Sequence, residues 1–134
     1  MAAPQASGFS VKAALRWLLG LLMIGAGLNH FRVPELYLAM MPAQLPWPAE
    51  LVFVSGVAEV AGGLGLLLPA TRRAAAWGLV ALLVAVFPAN LNMAIHQLPL
   101  GSYQPPAWAL WARLPLQAVL IAWALWYTRP APRA

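Results

Sequence analysis

Glu59 sits near the middle of Leu51–Leu68 (LVFVSGVAEVAGGLGLLL), an eighteen-residue apolar run with no other charge. At about 1.5 Å of rise per residue, such a helix crosses most of a hydrocarbon core roughly 30 Å thick. Its ten Leu, Val and Phe residues favour insertion by about 3–6 kcal/mol, against about 2.5–3.5 kcal/mol for a central carboxylate. A carboxylate at that depth needs a partner, a proton or a water-filled cavity. Arg113 is a second charge inside an apolar run, and Gln117, four residues on, shares its helix face. Asn29, His30, Asn90, Asn92 and His96 complete the polar set. In such a set Glu59 accepts or exchanges a proton, while Arg113, His30 and Asn90 orient the polar groups of a ligand. Two histidines and one glutamate fit no tight ligand spacing, so no metal site is expected, and there is no haem signature. The absence of cysteine removes thiol redox chemistry and thiolate metal sites from the chain.

The elements that must position these residues follow from composition. The chain has 134 residues, 63% hydrophobic and 8% charged, where a soluble domain carries about 25% charged residues. The expected fold is all-α: an integral membrane four-helix bundle with antiparallel, up-down topology. Its spans are expected at about 11–31, 51–68, 74–95 and 107–127, within a single domain over 11–127. Residues 1–10 read as a flexible tail and 128–134 as a short basic tail. The stretch 32–50 is a proline-rich loop whose middle, LYLAMMPAQLPW, is apolar and aromatic. It is expected to lie along the interface as a short helix or re-entrant turn. Pro69–Arg73 is a tight connection, which makes the second and third spans antiparallel neighbours.

Lys12, Arg16, Arg72, Arg73, Arg129 and Arg133 fall on one side of this topology, and Arg32 on the other. The positive-inside rule then puts both termini and the Arg72-Arg73 turn in the cytoplasm, in a cell inner membrane. The net charge of +5 reads as topology and anionic lipid rather than nucleic acid. With that orientation Asn29, His30, Glu59, Asn90, Arg113 and Gln117 all fall in the outer half or at the centre. They form the expected polar pocket, with a Glu59–Arg113 ion pair as one way to neutralise the carboxylate.

Pro88 frees the carbonyl of Val84 and Pro115 that of Trp111, and the amides of Asn90 and Gln117 are available to serve them. Asn90 and Asn92, two apart, cannot share a face of a regular helix. Ser55, Gly56, Glu59, Gly62, Gly63 and Leu66 recur at helical spacing, a small-residue face for close helix approach. Gly63→Leu is therefore expected to disrupt the bundle more than Gly20→Leu, a position without that tie to Glu59.

Several runs carry a family likeness. GLNHF with Pro34, MMPAQLPWP, SGVAEVAGGLGLLLP, RRAAAWGLVALLVAVFPANLNMA and RLPLQAVLIAWALW occur in that order. Together they resemble the DoxX-like family of small four-span bacterial membrane proteins, from Leu15 to about Trp126. The second span's Glu59-Val60-Ala61-Gly62-Gly63 is the most specific part, joined by Pro88-Ala89-Asn90 and Arg113-Leu114-Pro115-Leu116-Gln117. The resemblance implies a four-helix membrane fold and does not settle an activity. Some relatives are subunits of a thiosulfate:quinone oxidoreductase, and others assist redox-enzyme maturation or oxidative-stress complexes. Thiol chemistry proposed for relatives does not carry over to a chain without cysteine.

Three functions fit these residues. The first is an accessory or redox-associated membrane subunit holding a quinone-like or other amphiphilic ligand, or a partner helix, in the polar pocket. The second is a structural or assembly protein without substrate, whose polar cluster fixes helix register; the partners expected are the lipid bilayer and a partner membrane protein or a second copy in a homo-oligomer. The third is a small oligomeric transporter, which lacks support because the inner half has no polar cluster. No catalytic nucleophile is identifiable, which leaves enzymatic activity open.

Overall fold

The computed structural model describes residues 10–99 and 102–130, and the structure is all helical, with no strand among those residues. The helices are α1 (Val11–Arg32), α2 (Pro34–Leu38), α3 (Pro48–Leu67), α4 (Arg72–His96) and α5 (Ala107–Trp126). The expected tails fall mostly at residues 1–9 and 131–134, outside the described residues.

Local chemistry sets several boundaries. Ser10 caps α1, its Oγ accepting from the Ala13 N–H at 3.1 Å. Pro48 occupies the first turn of α3, where a missing N–H costs nothing and the fixed φ suits a helix. The second span therefore begins three residues before the expected Leu51. Trp47, just ahead of it, has φ 50°, a left-handed conformation uncommon for a bulky side chain. Gln97 takes the same conformation where α4 ends, the usual device for closing a helix C-terminus.

Helices α1, α3, α4 and α5 are long and apolar enough to cross a membrane, and no more than 22% of each eighteen-residue window is buried inside the protein. Leu18, Leu21, Leu22 and Leu28 on α1, and Phe53, Val54 and Val57 on α3, are exposed. Apolar surface on this scale is made for lipid, the pattern of a multi-pass membrane protein.

Helix α3 is central, packing on α1 and on α4, and α5 packs on α4. The α1–α3 seam is set by glycines. A Cβ at Gly27 would lie 2.7 Å from the Gly56 carbonyl oxygen, and one at Gly63 would lie 2.5 Å from that of Gly20. Gly20 thus faces Gly63 and Gly27 faces Gly56, so the two helices run in opposite directions with backbones in contact. The expected small-residue face of α3 divides in two. Gly56 and Gly63 meet α1, whereas Cβ atoms at Gly62 and Gly65 would meet Leu79 and Ala75 of α4. Gly20 belongs to the seam as well, which corrects its expected role as a position away from it.

Apolar side chains form two separate cores. One joins Leu19, Met23, Leu66, Ala76, Leu79, Ala124 and Tyr127, drawn from all four long helices and the residue after α5. It occupies the end of the bundle where α1 begins and α5 finishes, here called the terminal end. The Tyr127 hydroxyl donates to the Lys12 carbonyl at 2.9 Å, tying those two ends together. The second core, Met40, Met93, Ala94 and Leu110, lies at the opposite, loop end.

Candidate functional site: a polar-edged cavity at the loop end

Between the two cores lies a cavity of about 280 Å³, lined by residues from α1, α3, α4, α5 and the α2 segment. Its walls are mainly apolar, with His30, Tyr37, Glu59, Asn90, Arg113 and Gln117 among the polar groups. Five of the six residues expected from sequence line it. The sixth, Asn29, acts one step back: its Nδ2 donates to the Tyr37 hydroxyl at 2.7 Å, and Tyr37 lines the cavity.

Glu59 faces His30, not Arg113. His30 Nδ1 and Glu59 Oε2 approach to 2.8 Å, with side chains 11% and 14% exposed. The contact is an ion-pair approach without good hydrogen-bond alignment, and both atoms are buried with no other partner among the described residues. Depth along each helix, the basis for expecting an Arg113 pair, omits the direction in which side chains lean. Every Cα–Cβ bond tilts toward the N-terminus of its own helix. Glu59 on α3 therefore leans toward the loop end, while His30 on α1 leans toward the bundle centre, and the two converge. Arg113 on α5 leans toward the loop end, away from mid-bundle. Its Nη1 lies 3.6 Å from Met93 Sδ, and no carboxylate pairs with it among the described residues.

The α4–α5 wall carries a different kind of polar contact. Asn90 Nδ2 donates to Gln117 Oε1 at 2.5 Å, and Gln117 Nε2 donates to the Leu83 carbonyl. Gln117 is 3% exposed. The amide thus serves Leu83, one residue before the expected Val84. Asn90 Oδ1 is buried with no partner among the described residues, an acceptor on the cavity wall. Asn92 turns to another element, its Nδ2 donating to the Met40 carbonyl at 3.2 Å, as the two-residue spacing requires. Gln117→Leu is expected to cost about 1–3 kcal/mol, because Asn90 Nδ2 and the Leu83 carbonyl lose a buried partner. Thermal unfolding in detergent measures it, and an unchanged midpoint would show that these bonds contribute nothing net.

Residues 34–41 fall in the stretch expected as a short helix or re-entrant turn along the interface. Pro34–Leu38 is a short helix, and the segment closes the cavity, with Tyr37, Met40 and Met41 in its wall. The His30 and Tyr37 rings lie 3.9 Å apart, centroid to centroid, tilted by 56°. Asn29 and Asn92 hold the segment from α1 and α4. The available signal was that LYLAMM is too apolar for a solvated loop, and a cavity roof buries it as well as an interface does.

The arrangement offers an acid–base couple on the α1–α3 wall, a guanidinium opposite, and one free amide acceptor beside it. No group of three or more His, Asp and Glu residues could hold a metal ion among the described residues.

A family model described as a domain of unknown function, DUF8561, matches residues 19–128. The chain belongs to the DUF8561 family. No curated protein and no solved structure shows a significant match. The DUF8561 stretch contains all the cavity-lining residues, from Met23 to Leu120, so the cavity lies within the family domain.

Proposed function

We propose that this chain is a DoxX-like accessory or redox-associated subunit of a bacterial inner membrane, which holds the head group of a quinone-like or other amphiphilic molecule in its loop-end cavity. The observation that carries this reading is the pairing of Glu59 with His30 while Arg113, beside an apolar space, has no acid partner among the described residues. Intramembrane charges are costly and mark functional sites. The cavity volume is close to the lower bound of about 300 Å³ for small-molecule sites, enough for a head group but not for a long tail.

Helices α1 and α5 meet through side chains at the terminal end but have no extended close backbone approach, and Met23 and Ala26 of one and Leu116 and Leu120 of the other line the same cavity. A tail leaves through that gap into lipid. Inside, the His30–Glu59 couple gives or takes a proton at a bound oxygen, and Arg113 and the Asn90 carbonyl orient the head group. Both termini face the cytoplasm in this proposal, supported by the Lys/Arg asymmetry. The DoxX-like assignment rests on the ordered runs around Glu59, Asn90 and Arg113.

The test is binding of decyl-ubiquinone to the purified protein, with native mass spectrometry of the gently extracted protein for what it already carries. Ala26→Trp fills the cavity from α1 and is expected to weaken binding at least tenfold with the melting temperature retained. Unchanged affinity in that variant would refute the cavity as the site.

The alternative, an assembly protein in which polar groups fix helix register, is favoured by one observation. The hydrogen bonds from Asn90 to Gln117 and from Gln117 to the Leu83 carbonyl run between α4 and α5. A partner membrane protein or second copy would then cover the α1–α5 gap, and blue-native electrophoresis of the extracted complex would show it.

A further inference from the structure

The terminal end gathers cations, and no acidic side chain among the described residues lies there. The chain has three acidic residues, and Glu35, Glu50 and Glu59 lie in α2, the first turn of α3 and mid-α3, all toward the loop end or the centre. Helices α1 and α4 both begin at the terminal end, and neither has an acidic residue in its first turn. Both helix dipoles therefore present their positive ends there, where an anion is favoured and a cation is not. Yet the first two turns of these helices carry Lys12, Arg16, Arg72 and Arg73.

Two of the four cations are already engaged. Arg73 Nε donates to the Thr128 carbonyl at 3.1 Å, and Lys12 Nζ lies 5.3 Å from the Trp126 ring centroid. Arg16 and Arg72 are different. Arg16 lies one turn before Leu19 and Arg72 one turn before Ala76, and Leu19 and Ala76 share the terminal core, which places the two cations together at that end of the bundle. The Nε of each is buried with no hydrogen-bond partner among the described residues. Like charges held together with unused buried donors cost free energy unless an anion joins them.

We propose that Arg16 and Arg72 form a phosphate-binding site at the terminal end of the bundle, which takes the head-group phosphate of an anionic phospholipid. Guanidinium forks match phosphate oxygens in pairs. The site lies where α1 and α4 begin, at the depth of lipid head groups, and basic pockets between spans are suited to such lipids. It is separate from the loop-end cavity and does not depend on what binds there.

The test uses the full chain in an uncharged detergent, with native mass spectrometry and thermal unfolding as readouts. Phosphatidylglycerol is expected to be retained and to raise the melting temperature, and phosphatidylcholine is not. Equal effects of the two lipids would overturn the site. R16Q/R72Q is expected to bind phosphatidylglycerol about 30-fold more weakly, from two cations at about 1 kcal/mol each. R16K/R72K keeps both charges but loses the Nε donors, and is expected to bind at least fivefold more weakly. Lys12→Gln is expected to change affinity less than threefold. If Lys12→Gln costs as much as either double variant, the effect is diffuse charge and the site is refuted. Inorganic phosphate that matches the lipid at equal concentration would overturn the lipid as the carrier.

Discussion

Gly27→Ala and Gly63→Ala are expected to lower stability by about 1–3 kcal/mol or more each, while Gly25→Ala and Gly78→Ala leave the melting temperature at or slightly above the parent's. One methyl group separates the two classes. At Gly27 it would meet the Val60 Cγ2 and the Gly56 carbonyl oxygen at 2.7 Å, and the Val60 backbone nitrogen at 2.9 Å. At Gly63 it would meet the Gly20 carbonyl oxygen at 2.5 Å and the Ile24 nitrogen at 3.0 Å. Backbone atoms cannot step aside as a side-chain tip can, so the helices must separate along the seam. At Gly25 and Gly78 nothing lies within 4 Å, and replacing a helical glycine reduces the unfolded chain's freedom. Gly20 is intermediate, because its first contact at 2.8 Å is the flexible end of Leu67. Circular dichroism melts in one detergent rank the variants. Equal midpoints across all five positions would refute backbone contact between α1 and α3.

The second large effect concerns the acid–base couple. Leaving a buried polar group without its partner costs about 1–3 kcal/mol, more if it is charged, so Glu59→Gln and His30→Leu are each expected to destabilise. The double variant is expected to recover a large part of the summed loss, because both single losses remove the same contact. The same cycle between Glu59 and Arg113 is expected to come out nearly additive, since Arg113 contacts Met93 and not the carboxylate. A coupling energy above about 1 kcal/mol for Glu59–Arg113, with none for Glu59–His30, would reverse the assignment. Decyl-ubiquinone binding by the stable double variant separates structure from function. Full binding there would leave the couple with a register role alone.

What could be read from sequence divides along physical lines. The four spans were legible because eighteen or more apolar residues have no other stable place. Their limits hold to within three residues, α3 differing most because Pro48 starts it. The convergence of polar residues was legible from depth alone, and His30, Glu59, Asn90, Arg113 and Gln117 do meet in one cavity. Pairing was not legible. Glu59 has several polar neighbours at similar depth, and the choice of His30 depends on two things: the tilt of Cβ atoms and the register of α1 against α3. That register is set by Gly20 and Gly27, which lie in a span where glycine also has the bland role of a small filler. The roof formed by Tyr37, Met40 and Met41 was half legible, as an apolar segment expected at the interface with no sign that it closes a cavity.

The glycine seam also acts as a ruler. Gly20 and Gly27 are seven residues apart, as are Gly56 and Gly63, and seven residues make close to two helical turns. A single-residue deletion between Gly20 and Gly27 would rotate everything after it by about 100°. Gly27 would leave the seam, and His30 would swing away from Glu59 with it. Length variation among DUF8561 chains should therefore collect in 41–47 and 97–105, between helices, while the intervals Gly20–Gly27 and Gly56–Gly63 keep their count even where every other residue in them has been exchanged.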